Sequence, residues 1–376
     1  MPGGFGLYLH WPFCRAKCPY CDFNSHPLGP AAPDPDQWAR AYVAEMNRAA
    51  ALTGGRTLGS IFLGGGTPSL MPPALVGRLL DHAARLWPLA DDCEITLEAN
   101  PGTVDTANLK GFAASGINRL SLGLQALDDA ALKALGRIHD SAQGIAAARQ
   151  AAHLFPRLSL DLMIARPGQT AATLADELDR LFALIADTGA EHISLYQLTL
   201  EPGTALHAAN PALPDDADQL YIQTVARCRD AGLPLYEISN FARPGAASRH
   251  NLLYWQGGDW LGLGPGAHGR LTLEDQRHAL GQHRDPATWL ATALEEGATT
   301  DHTILSRQED SEERLMMGLR LAQGLPLAAL PDPAIIDPQA KQSLVAEGLL
   351  ADTPNHLQTT DQGRLLLDHV LPRLLR

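Results

Sequence analysis

The stretch Tyr8-Leu9-His10-Trp11-Pro12-Phe13-Cys14-Arg15-Ala16-Lys17-Cys18-Pro19-Tyr20-Cys21 runs from an apolar strand segment straight into three cysteines, spaced four and three residues apart. Thiols at that spacing in one short loop can converge on one side of a metal centre, and thiolates suit iron–sulfur clusters and zinc. A cubane [4Fe–4S] cluster ordinarily takes four thiolates. Here the position two residues further on, where a fourth would stand, is Phe23. Three thiolates on four irons leave one iron open to a substrate or cofactor. The competing reading is a structural zinc site completed by His10 or His26. Against it, zinc knuckles pair two ligand hooks, and the next cysteine is Cys93. Five cysteines is an odd number and no apolar signal segment precedes the first strand, so reduced thiols in a cytoplasmic protein are expected rather than a disulfide.

The rest of the chain must supply a scaffold for that loop. Its 376 residues suffice for one large domain and a small one, and 45% hydrophobic residues support a substantial core. No apolar run approaches the length of a membrane-spanning helix. A net charge of −13 argues against a broad phosphate-binding surface, so nucleic acid is not expected as a partner.

Short apolar runs recur, each followed by an amphipathic or alanine-rich stretch. Strands are predicted over 6–10, 60–63, 94–99, 119–124, 158–164, 192–198 and 235–238. Helices are predicted over 36–52, 73–89, 105–115, 141–154, 170–188 and 215–231. Strand–helix alternation specifies a parallel sheet with helices outside it. So many repeats exceed a minimal doubly wound unit and point to an α/β fold of partial, open β/α-barrel type over 1–300. In such barrels the chemistry gathers at the C-terminal ends of the strands.

The polar residues obey that rule. Gly64-Gly65-Gly66-Thr67-Pro68 follows the second strand, Glu98-Ala99-Asn100 ends the third, and Gln125 lies just past the fourth. Asp161 interrupts the fifth, and Tyr196-Gln197 ends the sixth. From about Ser306 the order becomes helix, helix, hairpin (348–352 with 357–360) and a last helix over 361–371. That order predicts a small α+β, winged-helix-like domain over 301–376, too acidic for DNA.

Taken together, the cysteine loop, the Gly-Gly-Gly-Thr-Pro-Ser run, and Asp161 followed by Pro167-Gly168-Gln169-Thr170 resemble the radical S-adenosylmethionine superfamily. The resemblance covers nearly the whole chain and is strongest to the branch of oxygen-independent coproporphyrinogen III oxidases and their relatives. Within that branch the oxidases carry a fourth cysteine where this chain has Phe23, and a longer N-terminal arm. In place of these, His250-Asn251-Leu252-Leu253-Tyr254-Trp255 resembles the HNxxYW signature of a heme-chaperone subgroup. Ala165-Arg166 replaces the usual Gly-Leu before Pro-Gly-Gln-Thr, and Arg166 is expected at the solvent or in a local salt bridge.

The resemblance implies that Cys14, Cys18 and Cys21 ligate three irons of a [4Fe–4S] cluster. The amino and carboxylate groups of S-adenosylmethionine would chelate the fourth, and reduction would release an adenosyl radical. Gly65, Gly66 and Thr67 would let backbone approach that zwitterion closely. Tyr8, Tyr20, Glu98, Gln125, Arg137 and Asp161 match positions that contact S-adenosylmethionine in the oxidase relatives. Carboxylates suit ribose hydroxyls and a sulfonium, and Arg137 suits a carboxylate. The structural alternative is a buried ion pair for Glu98 and Asp161, and an ordinary strand aromatic for Tyr8. His250 is implied as an axial ligand to heme iron, flanked by Tyr254 and Trp255. The alternative for His250 is a surface-loop histidine anchored by its aromatic neighbours. The subgroup further implies delivery of heme to respiratory proteins, and leaves open peripheral membrane association and a homodimer.

Overall fold

The computed structural model describes residues 4–30 and 32–375. Twelve strands form its main sheet. They are β1 (Phe5–Trp11), β2 (Leu58–Gly65), β3 (Leu89–Ala99), β4 (Arg119–Gln125), β5 (Arg157–Ile164), β6 (His192–Gln197), β7 (Leu235–Glu237), β8 (Asn240–Ala242), β9 (Asp259–Leu263), β10 (His268–Leu273), β11 (Gln276–Gln282) and β12 (Thr299–Leu305). Their spatial order is β12-β11-β10-β9-β1-β2-β3-β4-β5-β6-β8-β7. From β9 through β1 to β6 every pairing is parallel, while β10–β12 and β7–β8 add antiparallel margins. The sheet is open, as a partial barrel requires, and its antiparallel margins make it mixed.

Helices α1 (Pro35–Thr53), α2 (Pro73–Leu86), α3 (Thr106–Ala114), α4 (Asp129–Ala134), α5 (Ser141–Ala152), α6 (Ala171–Thr188), α7 (Ala205–Ala209) and α8 (Ala217–Asp230) follow the strands. Local chemistry sets their ends. Asp140 and Gln143 form a capping box at α5, and Gly189 closes α6 at φ +69°, a left-handed position that favours glycine. The longer helices bury one apolar face each against the sheet's outer side, where Leu7, Ile61, Leu97, Leu120, Leu160 and Ile193 are fully buried. Trp38 and Trp289 stack at 5.5 Å where α1 meets the later helix α10 (Pro286–Leu294), after α9 (Arg249–Trp255).

The strands after 238 escaped the sequence reading because polar residues and glycines break up their apolar runs. Asp259 is paired with Arg277 in full burial, and Arg277 also reaches the Gly258 carbonyl at 2.7 Å. Gly262 lies against the His268 carbonyl, where a Cβ would sit 2.0 Å from oxygen, so the glycine-rich run is a strand doubling back on β10.

A second apolar cluster joins Leu315, Leu319, Leu344, Leu357, Val370 and Leu374. It is built from α11 (Arg307–Gly318), α12 (Pro338–Ala346), α13 (Asp361–Leu365) and α14 (Leu367–Leu374), so the last helix expected over 361–371 is broken at Leu366. The expected hairpin reduces to one antiparallel bridge, Leu350 with Thr359, while His356–Leu357 pairs instead with Leu325–Pro326. A division at 300/301 falls inside β12, which pairs with β11 as far as Leu305. We place the division at Ser306, which caps α11 with Glu309. Arg270 bonds Glu313 at 2.9 Å across that division.

Candidate functional site

The C-terminal ends of the strands open into a cavity of about 380 Å³. Cys14, Cys18 and Cys21 line it from the loop after β1, Cys14 buried and the other two half-buried. Burial, reinforced by the two neighbouring thiols, pushes the Cys14 thiol up. Arg137 donates through Nη1 to Cys18 Sγ at 3.5 Å and through Nη2 to the Gly123 carbonyl at 3.1 Å, placing a cation beside the sulfur. Tyr20 also lines the cavity, its phenol pushed up by burial.

Both nitrogens of His10 are occupied. Tyr8 Oη lies 2.9 Å from Nδ1, and the Asn24 carbonyl lies 2.9 Å from Nε2. His26 is turned to Asn24 Oδ1 at 3.4 Å. Among the described residues no three thiol, imidazole or carboxylate groups converge closely enough for a single metal ion. The donor set therefore fits a cluster better than zinc: three soft thiolates from one loop, a cation behind one of them, and open cavity on the far side.

Gly65, Gly66 and Thr67 line the cavity beside the cysteine loop. Gly65 stands at φ +114°, and a Cβ on Gly66 would lie 2.7 Å from the Phe13 carbonyl oxygen. Only glycine lets this loop lie against the cysteine loop. The Gly65 amide donates to Glu98 Oε2 at 3.2 Å. Burial first, and the nearby Asp161 second, push the Glu98 carboxyl up to about 8. Asp161 accepts from Ser121 Oγ at 2.8 Å and from Ser159 Oγ at 2.9 Å. Among the described residues neither carboxylate is locked in a salt bridge. Gln125 takes a left-handed φ of +68°, at a register break in the β4–β5 pairing, and so turns into the cavity.

Two expected positions are corrected. Tyr8 lies off the cavity lining, its hydroxyl on His10 and its ring near Phe62 and His250, so it supports the site from the barrel interior. His250 is in a helix, α9, and not on a surface loop, and it is 1% exposed. Its Nδ1 lies 2.8 Å from Ser60 Oγ and its Nε2 2.6 Å from the Tyr254 hydroxyl. Burial brings its pKa down to about 3. Glu94 Oε1 anchors the helix start, accepting Arg249 N at 3.0 Å and His250 N at 3.3 Å. In this arrangement α9 plugs the barrel floor, and His250 offers no free lone pair to iron.

Of the two expectations for Arg166, the local salt bridge holds. Arg166 forms a buried pair with Glu177, which also accepts Gln169 Nε2 at 3.0 Å and Leu127 N at 2.8 Å. Ser121, Met163, Thr199 and Glu201 line the cavity without having been singled out. Ser121 had a signal in register, since it lies on β4 two residues before Gly123, which pairs with Asp161. Thr199 and Glu201 had none, because a loop's course past a strand end is set by tertiary packing.

The sequence profile of the radical SAM superfamily matches residues 8–181, and that of the HemN C-terminal domain matches residues 305–366. Heme chaperone HemW of Mycobacterium tuberculosis is 38% identical, over 100% of this chain and 96% of its own length. The chain belongs to the radical SAM superfamily, in its HemN-like branch close to HemW. HemW of Escherichia coli is 36% identical over 98% of this chain and 97% of its own. The mitochondrial radical S-adenosyl methionine domain-containing protein 1 of Bos taurus is 40% identical over 96% of this chain and 82% of its own. Coproporphyrinogen III oxidase (HemN) of Escherichia coli, a radical SAM enzyme, superposes with a TM-score of 0.82 at 22% identity, over 99% of this chain and 90% of its own, so the fold is shared. Radical SAM membership implies a [4Fe–4S] cluster and S-adenosylmethionine, and the cavity of this chain has the donors for both. No helix among the described residues is long and apolar enough to cross a membrane.

Proposed function

We propose that this protein is a heme chaperone of the HemW type, which binds heme and carries a [4Fe–4S] cluster with S-adenosylmethionine. The observation that carries the reading is similarity to HemW proteins along essentially the whole chain, together with Phe23 in place of a fourth cysteine. Phe23 is 62% exposed at the cavity rim, an apolar surface rather than a thiol. Cys14, Cys18 and Cys21 hold the cluster; Gly65, Gly66, Thr67, Glu98, Gln125, Arg137 and Asp161 surround the cofactor. The cluster and S-adenosylmethionine supply one-electron chemistry when bound. Respiratory heme proteins are the recipients in this reading, and the setting is cytoplasmic.

Heme ligation by His250 proceeds from a conformer in which α9 leaves the barrel floor, because both imidazole nitrogens are engaged when it is docked. Each buried polar group so released costs about 1–3 kcal/mol unless heme or water replaces its partner. Anaerobic reconstitution followed by optical titration with heme tests the function. A stoichiometric Soret shift, altered in His250→Ala with iron–sulfur content unchanged, supports it. The second reading is oxidative decarboxylation of porphyrinogen propionates, favoured by the shared HemN fold. Robust decarboxylation by the reconstituted protein, with no heme binding, would select it.

A further inference from the structure

One of the two hydroxyls on Asp161 ends a hydrogen-bonded chain that crosses the barrel interior. Ser159 Oγ lies 2.9 Å from Asp161 Oδ1 and 2.8 Å from His192 Nδ1. His192 Nε2 lies 2.8 Å from the Tyr236 hydroxyl, which accepts the backbone N–H of Ser248 at 3.3 Å. Ser248 is the N-cap of α9, and its own hydroxyl reaches Glu94 Oε1 at 3.3 Å.

The carboxylate end decides the proton on His192, because a carboxylate can only accept. Ser159 gives its one hydrogen to Asp161 and so accepts from His192 Nδ1–H, and the Nε2 lone pair then accepts the Tyr236 hydroxyl proton. With the proton on Nε2 instead, Ser159 would have one hydrogen for two acceptors, and one of its short contacts would set lone pair against lone pair. The relay also needs a neutral imidazole. Burial, aided by Arg119 and Arg157, holds His192 well below the usual histidine range.

We propose that His192, acting through Ser159, is a positioning residue for Asp161, with Tyr236 as the partner of its other nitrogen. Asp161 then receives hydroxyl protons on both oxygens, from Ser159 and from Ser121, and presents its remaining lone pairs to the cavity in one fixed orientation. The same chain ties the start of α9 to the cofactor cavity, since moving Ser248 breaks its first link. The inference rests on S-adenosylmethionine occupying the cavity, and is independent of heme.

Titration of S-adenosylmethionine into the anaerobically reconstituted protein tests it. His192→Leu, which removes the donor, should bind about tenfold more weakly, the effect of one lost hydrogen bond. His192→Asn keeps an N–H close to Nδ1 and should stay within about threefold of wild type. Ser159→Ala, which leaves the histidine in place, should match His192→Leu and carries the test should that variant not fold. Nitrogen-15 NMR of the cluster-free protein reads the tautomer directly: Nδ1–H for His192 in the wild type, shifting toward Nε2–H in Ser159→Ala, where only Tyr236 remains as a partner. Wild-type affinity in His192→Leu or Ser159→Ala with full iron content, or an Nε2–H tautomer in the wild type, would overturn the proposal. Absence of cofactor binding by the wild type would instead defeat the cofactor reading, and the tautomer would then decide the relay alone.

Discussion

Arg137 touches Cys18: its Nη1 lies 3.5 Å from the sulfur, while Nη2 holds the Gly123 carbonyl at the end of β4. One guanidinium thus links the loop that carries the thiols to the strand end that faces them. Its Nε is buried without a partner, so the group is held by the site and not by a salt bridge. A cation beside a cluster thiolate favours the more negative, reduced state. Arg137→Met should therefore keep its iron but show a more negative reduction potential, read by redox titration of the paramagnetic signal. An unchanged potential would mean that the guanidinium turns away from the cluster.

Cys14→Ala, Cys18→Ala and Cys21→Ala should each abolish a content of about four irons per chain after anaerobic reconstitution. Cys93→Ala and Cys228→Ala should not, because both thiols are buried away from the cavity. Iron and acid-labile sulfide analysis decides this, and stoichiometric zinc without iron would contradict the cluster.

Glu98 makes the cluster-free protein sensitive to pH. Its carboxyl titrates near 8 when folded, against an ordinary value of 4.5. Between those values the unfolded chain has released the proton and the folded chain keeps it, so stability falls as pH rises through that window, by roughly 1.4 kcal/mol per unit. Below about 4.5 the contribution vanishes. Urea unfolding across this range should show the slope, and Glu98→Gln should flatten it.

Arg166→Leu strands Glu177 in the interior with only Gln169 and the Leu127 amide as partners. Removing one member of a buried pair should destabilise the fold by about 3 kcal/mol. A midpoint shift below a third of that in urea would show that water reaches the carboxylate.

Gly66→Ala sets a methyl 2.7 Å from the Phe13 carbonyl oxygen and 2.9 Å from its carbon, both backbone atoms that cannot swing aside. The two loops must separate. The variant should fold, since the change lies at the barrel rim, yet bind S-adenosylmethionine at least tenfold more weakly. Calorimetric titration beside a thermal melt separates the two effects.

The first six strands and their helices were legible because burial against one face imposes a period on the sequence, and their ends carry glycine, proline and capping residues. The grouping of Cys14, Cys18 and Cys21 at one cavity was legible because their spacing is local. The floor of the barrel was not. Glu94, Arg119, Arg157, His192 and His250 come from separate strands and from α9, and each alone reads as an ordinary polar residue.

Sequence by itself therefore determined the three-cysteine loop, the parallel α/β frame and the gathering of polar residues at strand ends. These rest on short-range spacing and on the periodicity of burial. Only the tertiary structure decided that His250 points inward, that Tyr8 stands beneath the cavity and that Ser159, His192 and Tyr236 stand in line behind Asp161. Those relations join residues far apart in the chain, and they exist because neighbouring strands of the sheet bring their side chains to the same depth on one face.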